Sequence, residues 1–267
     1  MLIIGEKIDL SQEDIRKEVE KRNEEFIQEL ARSQVECGAQ VLDLIATISE
    51  NVLEHMRWLV KTVQEAVDVP LCLDSPDYRV IKAGLEVYSW DKGKKPIIDS
   101  TTAEKEKFNL ILPLVKKYQC PVVALTMDDR GIPDNSLGRF KIADKLIKEL
   151  TSEGVPLEDI YIDPIVFPIG VDTKSGDIAL ETIRKIKEAY PTVKVSMGLT
   201  NVSYGLPKAE LLNQSFIILA MASGLDAAIL DPTDKKLMSL IKAANVLLDK
   251  DEFCLQYIKA FREGKLE

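Results

Sequence analysis

Short apolar runs recur along the whole chain, and between them the apolar positions fall at helical spacing. The runs are 2–5 (LIIG), 40–45 (QVLDLI), 70–74 (PLCLD), 96–99 (PIID), 121–126 (PVVALT), 159–163 (DIYID), 193–200 (VKVSMGLT) and 226–230 (DAAIL). They are apolar on both faces, as parallel strands covered by helices must be. After the fourth run, Phe108, Ile111, Leu112 and Val115 repeat at i, i+3, i+4 and i+7 behind a capping-box candidate, Thr101-x-x-Glu104. Pro207 suits the first position of a later helix, and Gly224 suits the left-handed stop of that same helix. Leu237, Leu240, Ile241, Ala244, Leu247 and Leu248 mark another apolar stripe. Eight strands, each followed by a helix, predict a single (β/α)8 TIM barrel with one extra helix at 250–263. A doubly wound sheet is the alternative.

Composition narrows this without changing it. The 267 residues suit one α/β barrel, which uses about 250, and no linker or repeat divides residues 1–267 into separate domains. The net charge of −9, with no basic block, argues against a nucleic-acid partner. No apolar run reaches the length of a membrane span, and the opening MLIIGEKIDL turns charged too early for a signal peptide. Cys37, Cys72, Cys120 and Cys254 are scattered and read as free thiols of a cytoplasmic protein. With His55 as the one histidine and no cysteine cluster, neither a zinc site nor a histidine-based triad is expected.

In a parallel barrel the C-terminal strand ends face one mouth, where the chemistry sits. Those ends read Glu6, Asp43, Asp74, Asp99, Asp128, Asp163, Asn201 and Asp231. Any one of them is equally explained as a turn or helix cap. Gathered in one mouth, however, carboxylates repel one another unless a ligand or hydrogen bonds compensate. Acceptors in that number suit a ligand with a flat edge of N–H donors, such as a pterin, and would equally suit Mg²⁺. No Gly-rich phosphate loop is present, and Lys7 is the one lysine at a strand end, which disfavours a Schiff-base aldolase.

The ordered set MLIIGEKI (1–8), LCLDS (71–75), STTAEKEK (100–107), YIDP (161–164), GLTNVSYG (198–205) and MASGLDAAILDP (221–232) resembles the methyltetrahydrofolate:corrinoid protein methyltransferases over essentially the whole chain. The resemblance implies a homodimeric, dihydropteroate-synthase-like barrel that holds a pterin in its mouth. It implies methyl exchange between N5 of tetrahydrofolate and the cobalt of a corrinoid carried by a partner protein. On the residues that match, it implies Asn201 as the amide near N5 and Asp74 and Asp163 as acceptors for the pterin edge. Glu6, Asp99, Gly198, Ser203 and Ala228 would complete the pocket.

The chain also departs from that pattern. Asp9 and Asp99 stand where the family usually has Asn, Ile45 stands in place of another Asn, and Tyr204 stands where an amide is common. An ionised Asp accepts but cannot donate, so Asp99 loses a donor unless it holds a proton. Two alternatives follow. One is a repurposed or non-catalytic paralogue of the pterin barrel. The other is a dihydropteroate synthase-like enzyme, although LDLIATISEN (42–51) and AAILDPTD (227–234) lack the loop and basic group expected for a pyrophosphate.

Overall fold

A computed structural model describes residues 1–47, 50–90 and 93–267, so part of the 42–51 loop lies outside the described residues. Eight parallel strands close into one barrel in sequence order. They are β1 (Leu2–Asp9), β2 (Val41–Ile45), β3 (Leu71–Asp74), β4 (Ile97–Thr102), β5 (Val122–Leu125), β6 (Ile160–Asp163), β7 (Lys194–Gly198) and β8 (Ala227–Leu230). Closure is made where Ile3 pairs with Ala228 and Gly5 with Leu230, which excludes the doubly wound alternative.

The outer layer consists of α1 (Glu13–Glu20), α2 (Glu24–Glu36), α3 (Val52–Ala66), α4 (Tyr78–Val87), α5 (Lys105–Tyr118), α6 (Ser136–Ser152), α7 (Ser175–Ala189), α8 (Ala209–Ser223), α9 (Lys235–Leu247) and α10 (Leu255–Arg262). The strand period of two divides the core. One set of side chains, including Leu42, Leu44, Leu73, Ile98, Ile162 and Ala228, packs outward among the helices. The other set, Ile4, Val41, Cys72, Ile97, Val123, Tyr161 and Ala227, fills the barrel interior. Two residues further along β1, β2, β3, β4 and β6 come Glu6, Asp43, Asp74, Asp99 and Asp163. An apolar plug therefore turns polar at the C-terminal end.

The helix signals are met unevenly. Gly224 ends α8 at φ +110°, as the sequence predicts. Pro207 lies ahead of that helix, because Lys208 takes its N-cap in the left-handed region. The Thr101–Glu104 capping box does not form, because Thr101 belongs to β4. The N-cap Glu104 instead receives a 2.9 Å hydrogen bond from Thr102 Oγ1, and its N–H donates back to that oxygen at 3.2 Å. The first strand runs to Asp9 rather than stopping at Gly5, since Ile8 and Asp9 continue pairing with Leu44 and Ile45 after a register shift. The seventh strand stops at Gly198, and Leu199–Ser203 coil into a 3₁₀ turn.

Candidate active site

The mouth holds a cavity of about 520 Å³, within the range of small-molecule sites. Its lining includes Glu6, Asp9 and Gln12 from β1 and its loop, Asp43 and Ile45 from β2, Asp74, Asp99 with Ser100, Asp163, and Gly198, Thr200 and Asn201. Leu125 and Ile229 close the remaining wall. Glu6, Asp74, Asp99, Asp163, Gly198 and Asn201 thus converge as the sequence predicts.

Ser203 and Ala228 are not among the lining residues. Ser203 is buried and turns its hydroxyl back to the carbonyl of Thr200 at 3.3 Å, closing the 3₁₀ turn. Ala228 is displaced by strand parity: it faces the helices, while its neighbour Ile229 faces the cavity. Two further strand-end acids are also absent from the lining and serve their loops. Asp128 caps its turn and pairs with Arg130 at 2.8 Å. Asp231 accepts from Lys7 Nζ at 2.8 Å and from Thr233 Oγ1 at 2.6 Å. His55 lies on α3, outside the lining.

Burial dominates the electrostatics of the remaining acids. It pushes Asp163 up to about 7, with the Asp99 charge adding to the rise and the Ile165 N–H and Arg139 opposing it. Glu6 also reaches about 7 through burial, against a hydrogen bond from Thr200 Oγ1 at 3.3 Å. Asp99 reaches about 6, held down in part by Lys107. Asp74 is raised well above its usual range by burial and then by Asp99. Asp43 is raised by burial and by the charges of Asp74 and Asp99, with the neighbouring Cys72 thiol opposing the rise. An unpaired buried carboxylate is costly, and burial accordingly favours the protonated form of Asp43.

Two of the lining residues have local roles. Asp9 binds Ser11 through its backbone N–H at 2.8 Å and its hydroxyl at 2.6 Å, while still lining the cavity. Gly198 also faces Asn201 itself: a Cβ there would lie 3.0 Å from the end of that side chain, at Nδ2. Sequence reasoning missed Gln12, Ser100, Leu125, Thr200 and Ile229. Thr200 carried a signal as the polar neighbour of Asn201, whereas Gln12 reaches the mouth through a turn that no periodic pattern announces. Among the described residues, no group of three or more His, Cys, Asp or Glu side chains is placed to hold a metal ion, and no helix is long and apolar enough to cross a membrane.

Comparisons with known proteins agree with this geometry. Residues 6–231 match the pterin binding enzyme family. A methylcorrinoid:tetrahydrofolate methyltransferase of Eubacterium limosum is 36% identical over all of this chain and 98% of its own length. A methionine synthase of Mycobacterium tuberculosis is 29% identical over 93% of this chain, which spans 22% of that protein. Among solved structures, dihydropteroate synthases of Xanthomonas albilineans and Thermus thermophilus superpose with TM-scores of 0.69 and 0.64. Each is 18% identical; the first match covers 93% of this chain and 92% of the synthase, the second 93% of both, and the likeness establishes the fold alone. The chain belongs to the pterin-binding enzyme family and matches, from end to end, a methylcorrinoid:tetrahydrofolate methyltransferase.

Proposed function

We propose that the protein is a methyltransferase that moves a methyl group between N5 of tetrahydrofolate and the cobalt of a corrinoid carried by a separate protein. The observation that carries this reading is the end-to-end identity to a relative named for that exchange, together with Asp74, Asp99, Asp163 and Asn201 lining one cavity. Asp74 and Asp163 act as acceptors for the 2-amino and ring N–H groups of the pterin, with Glu6, Asp99 and Gly198 shaping the rest of the pocket. The protein supplies no nucleophile. The methyl carbon passes directly from N5 to cobalt as the N5–C bond breaks, its electron pair stays on N5, and a cobalt–carbon bond forms from the electron pair of the reduced metal. The reverse transfer balances in the same way.

The difficulty is N5, a poor leaving group unless it gains proton character in the transition state. A donor aimed at N5 that strengthens as charge develops lowers that barrier. Asn201 fills this role: its amide belongs to a 3₁₀ turn fixed by the Ser203–Thr200 bond. Glu6, raised to about 7 by burial and linked to the same turn through Thr200, is divided between its protonated and ionised forms at neutral pH.

We also propose that residues 1–267 act as one domain, that the protein works in the cytoplasm, and that two copies pair. The free state of all four cysteines supports the compartment. Leu247, Phe253 and Phe261, each more than 70% exposed, support an apolar contact around α10; Phe261→Lys should convert a dimer to a monomer in light scattering.

Calorimetric titration with methyltetrahydrofolate tests the central reading without needing the corrinoid partner. Micromolar or tighter binding, about −8 kcal/mol, that weakens in Asp163→Ala is the expected result. Absence of binding, together with absence of methyl exchange with any corrinoid acceptor, would overturn it.

A further inference from the structure

We infer that Arg139, outside the cavity, is a positioning residue that fixes the carboxyl of Asp163 by holding the backbone of the loop after β6. The inference rests on the pterin reading above and concerns how that site is kept in shape.

Arg139 projects from α6 and is 1% exposed, the largest wholly buried side chain among the described residues. Burying a guanidinium normally demands a carboxylate partner. Among the described residues, no carboxylate lies within ion-pair distance of Arg139. Its donors go to main-chain oxygens: Nε to Pro133 at 2.9 Å, and Nη1 to Pro164 at 3.0 Å and to Ile165. The guanidinium also lies 5.8 Å from the centre of the Phe167 ring. A fixed fork with Nε on the loop before α6 and Nη1 on two successive carbonyls of the loop after β6 clamps the second loop against the first.

That conformation needs a clamp. Ile165 has φ +57°, the left-handed region that a β-branched side chain strongly disfavours. In this shape the N–H of Ile165 turns back and donates to Asp163 Oδ1 at 2.6 Å. The same residue thus gives its carbonyl to Arg139 and its N–H to Asp163. With one carboxyl oxygen pinned, the other is left for a ligand. A relaxed Ile165 would withdraw the N–H and free the Asp163 side chain to rotate.

Arg139 acts on Asp163 through charge as well as through shape. The groups facing Asp163 are Asp99 of β4 and the Ile165 N–H, with Arg139 behind the loop. Asp74 of β3 interacts with it across the mouth, and Glu6, Asp9, Asp43 and, through Asp99, Lys107 complete the charged surroundings. Asp163 lies at about 7 with Arg139 present. Loss of that positive charge moves the carboxyl higher, so a ligand that needs the carboxylate binds only at higher pH.

The test is calorimetric titration of methyltetrahydrofolate into wild type, Arg139→Met, Arg139→Lys, Asp163→Asn and the Arg139→Lys/Asp163→Asn pair, from pH 5.5 to 9. Urea unfolding confirms that each variant is folded. Arg139→Met should bind roughly ten- to a hundredfold more weakly, with the midpoint of its pH dependence shifted upward. Arg139→Lys keeps the charge but not the fork, so its affinity should drop while its midpoint stays. If Arg139→Met does not fold, the double-mutant comparison decides: Arg139→Lys should cost affinity in wild type and little in Asp163→Asn. Additive effects, or variants with wild-type affinity and midpoint, overturn the inference alone. A wild-type protein that binds no methyltetrahydrofolate overturns this inference, and if methyl exchange with corrinoid acceptors is absent as well, the pterin reading falls with it.

Discussion

Asp99→Asn isolates the most informative departure from the family pattern. The Asp99 carboxyl is 7% exposed and is raised from 3.8 to about 6, chiefly by burial and against the pull of Lys107. Its folded value lies above its unfolded one. The native state therefore keeps the proton between these values while the unfolded chain gives it up, so stability is full below 3.8 and lost as pH rises to about 6. Above that window the ionised group costs about 3 kcal/mol, since each pH unit of displacement is worth about 1.36 kcal/mol. An amide has nearly the shape of the protonated carboxyl and no charge to bury. It also removes a charge that raises both Asp74 and Asp163. Asp99→Asn is therefore expected to be more stable than wild type by about 3 kcal/mol at pH 8, with the gap falling to about 1 kcal/mol at pH 4.5. Urea unfolding at the two pH values measures this. Because the amide donates as well as accepts, methyltetrahydrofolate should also bind more tightly at pH 8. A stability gap that is the same at both pH values, or a variant less stable at pH 8, would refute the reasoning.

Asn201→Ala is expected to fold normally, since the residue is exposed, and to lower the single-turnover rate of methyl transfer by roughly 10²–10³, as loss of one transition-state donor does. Gly198→Ala brings a methyl group to 3.0 Å from Asn201 Nδ2, so it should slow transfer while shifting the urea midpoint little; an unchanged rate would mean that the amide acts from another position. Pterin N–H groups stabilise a carboxylate that accepts from them, so binding near pH 6.5 should release protons from Asp163. Titrations in buffers of different ionisation enthalpy count them, and a binding enthalpy independent of buffer would contradict it.

The fold was legible because apolar runs at strand length alternate with helical stripes all along the chain. The site was legible where it follows from strand parity. Glu6, Asp43, Asp74, Asp99 and Asp163 each lie two residues beyond an interior apolar side chain, and position alone aims them into the mouth. Parity also explains the miss at Ala228, where Ile229 takes the inward place. The polar stretch Glu6–Asp9 did not read as strand, because its pairing is set by Leu44 and Ile45 of β2 and not by its own pattern. Arg139 was least legible. In "SLGRFKIADKL" it looks like one more charged position on a helix face. Its burial is determined by the carbonyls of Pro164 and Ile165, more than twenty residues downstream.

The rigid and the reactive parts of the mouth are held by different interactions. Asp43, Asp74 and Asp99 are strand residues, locked by main-chain pairing of β2, β3 and β4. Asn201 and the far side of Asp163 depend on the loops after β7 and β6, which are tied to each other where Ile169 N–H donates to the carbonyl of Val202 at 3.0 Å. In the proposed function, the ligand edge at Asp163 and the reacting nitrogen beside Asn201 would be registered through this backbone hydrogen bond between the two loops. Disturbing either loop should change the transfer rate more than the fold, because the barrel closes without them. On that proposal the strand acids set what can bind, and the paired loops set where its reactive atom lies.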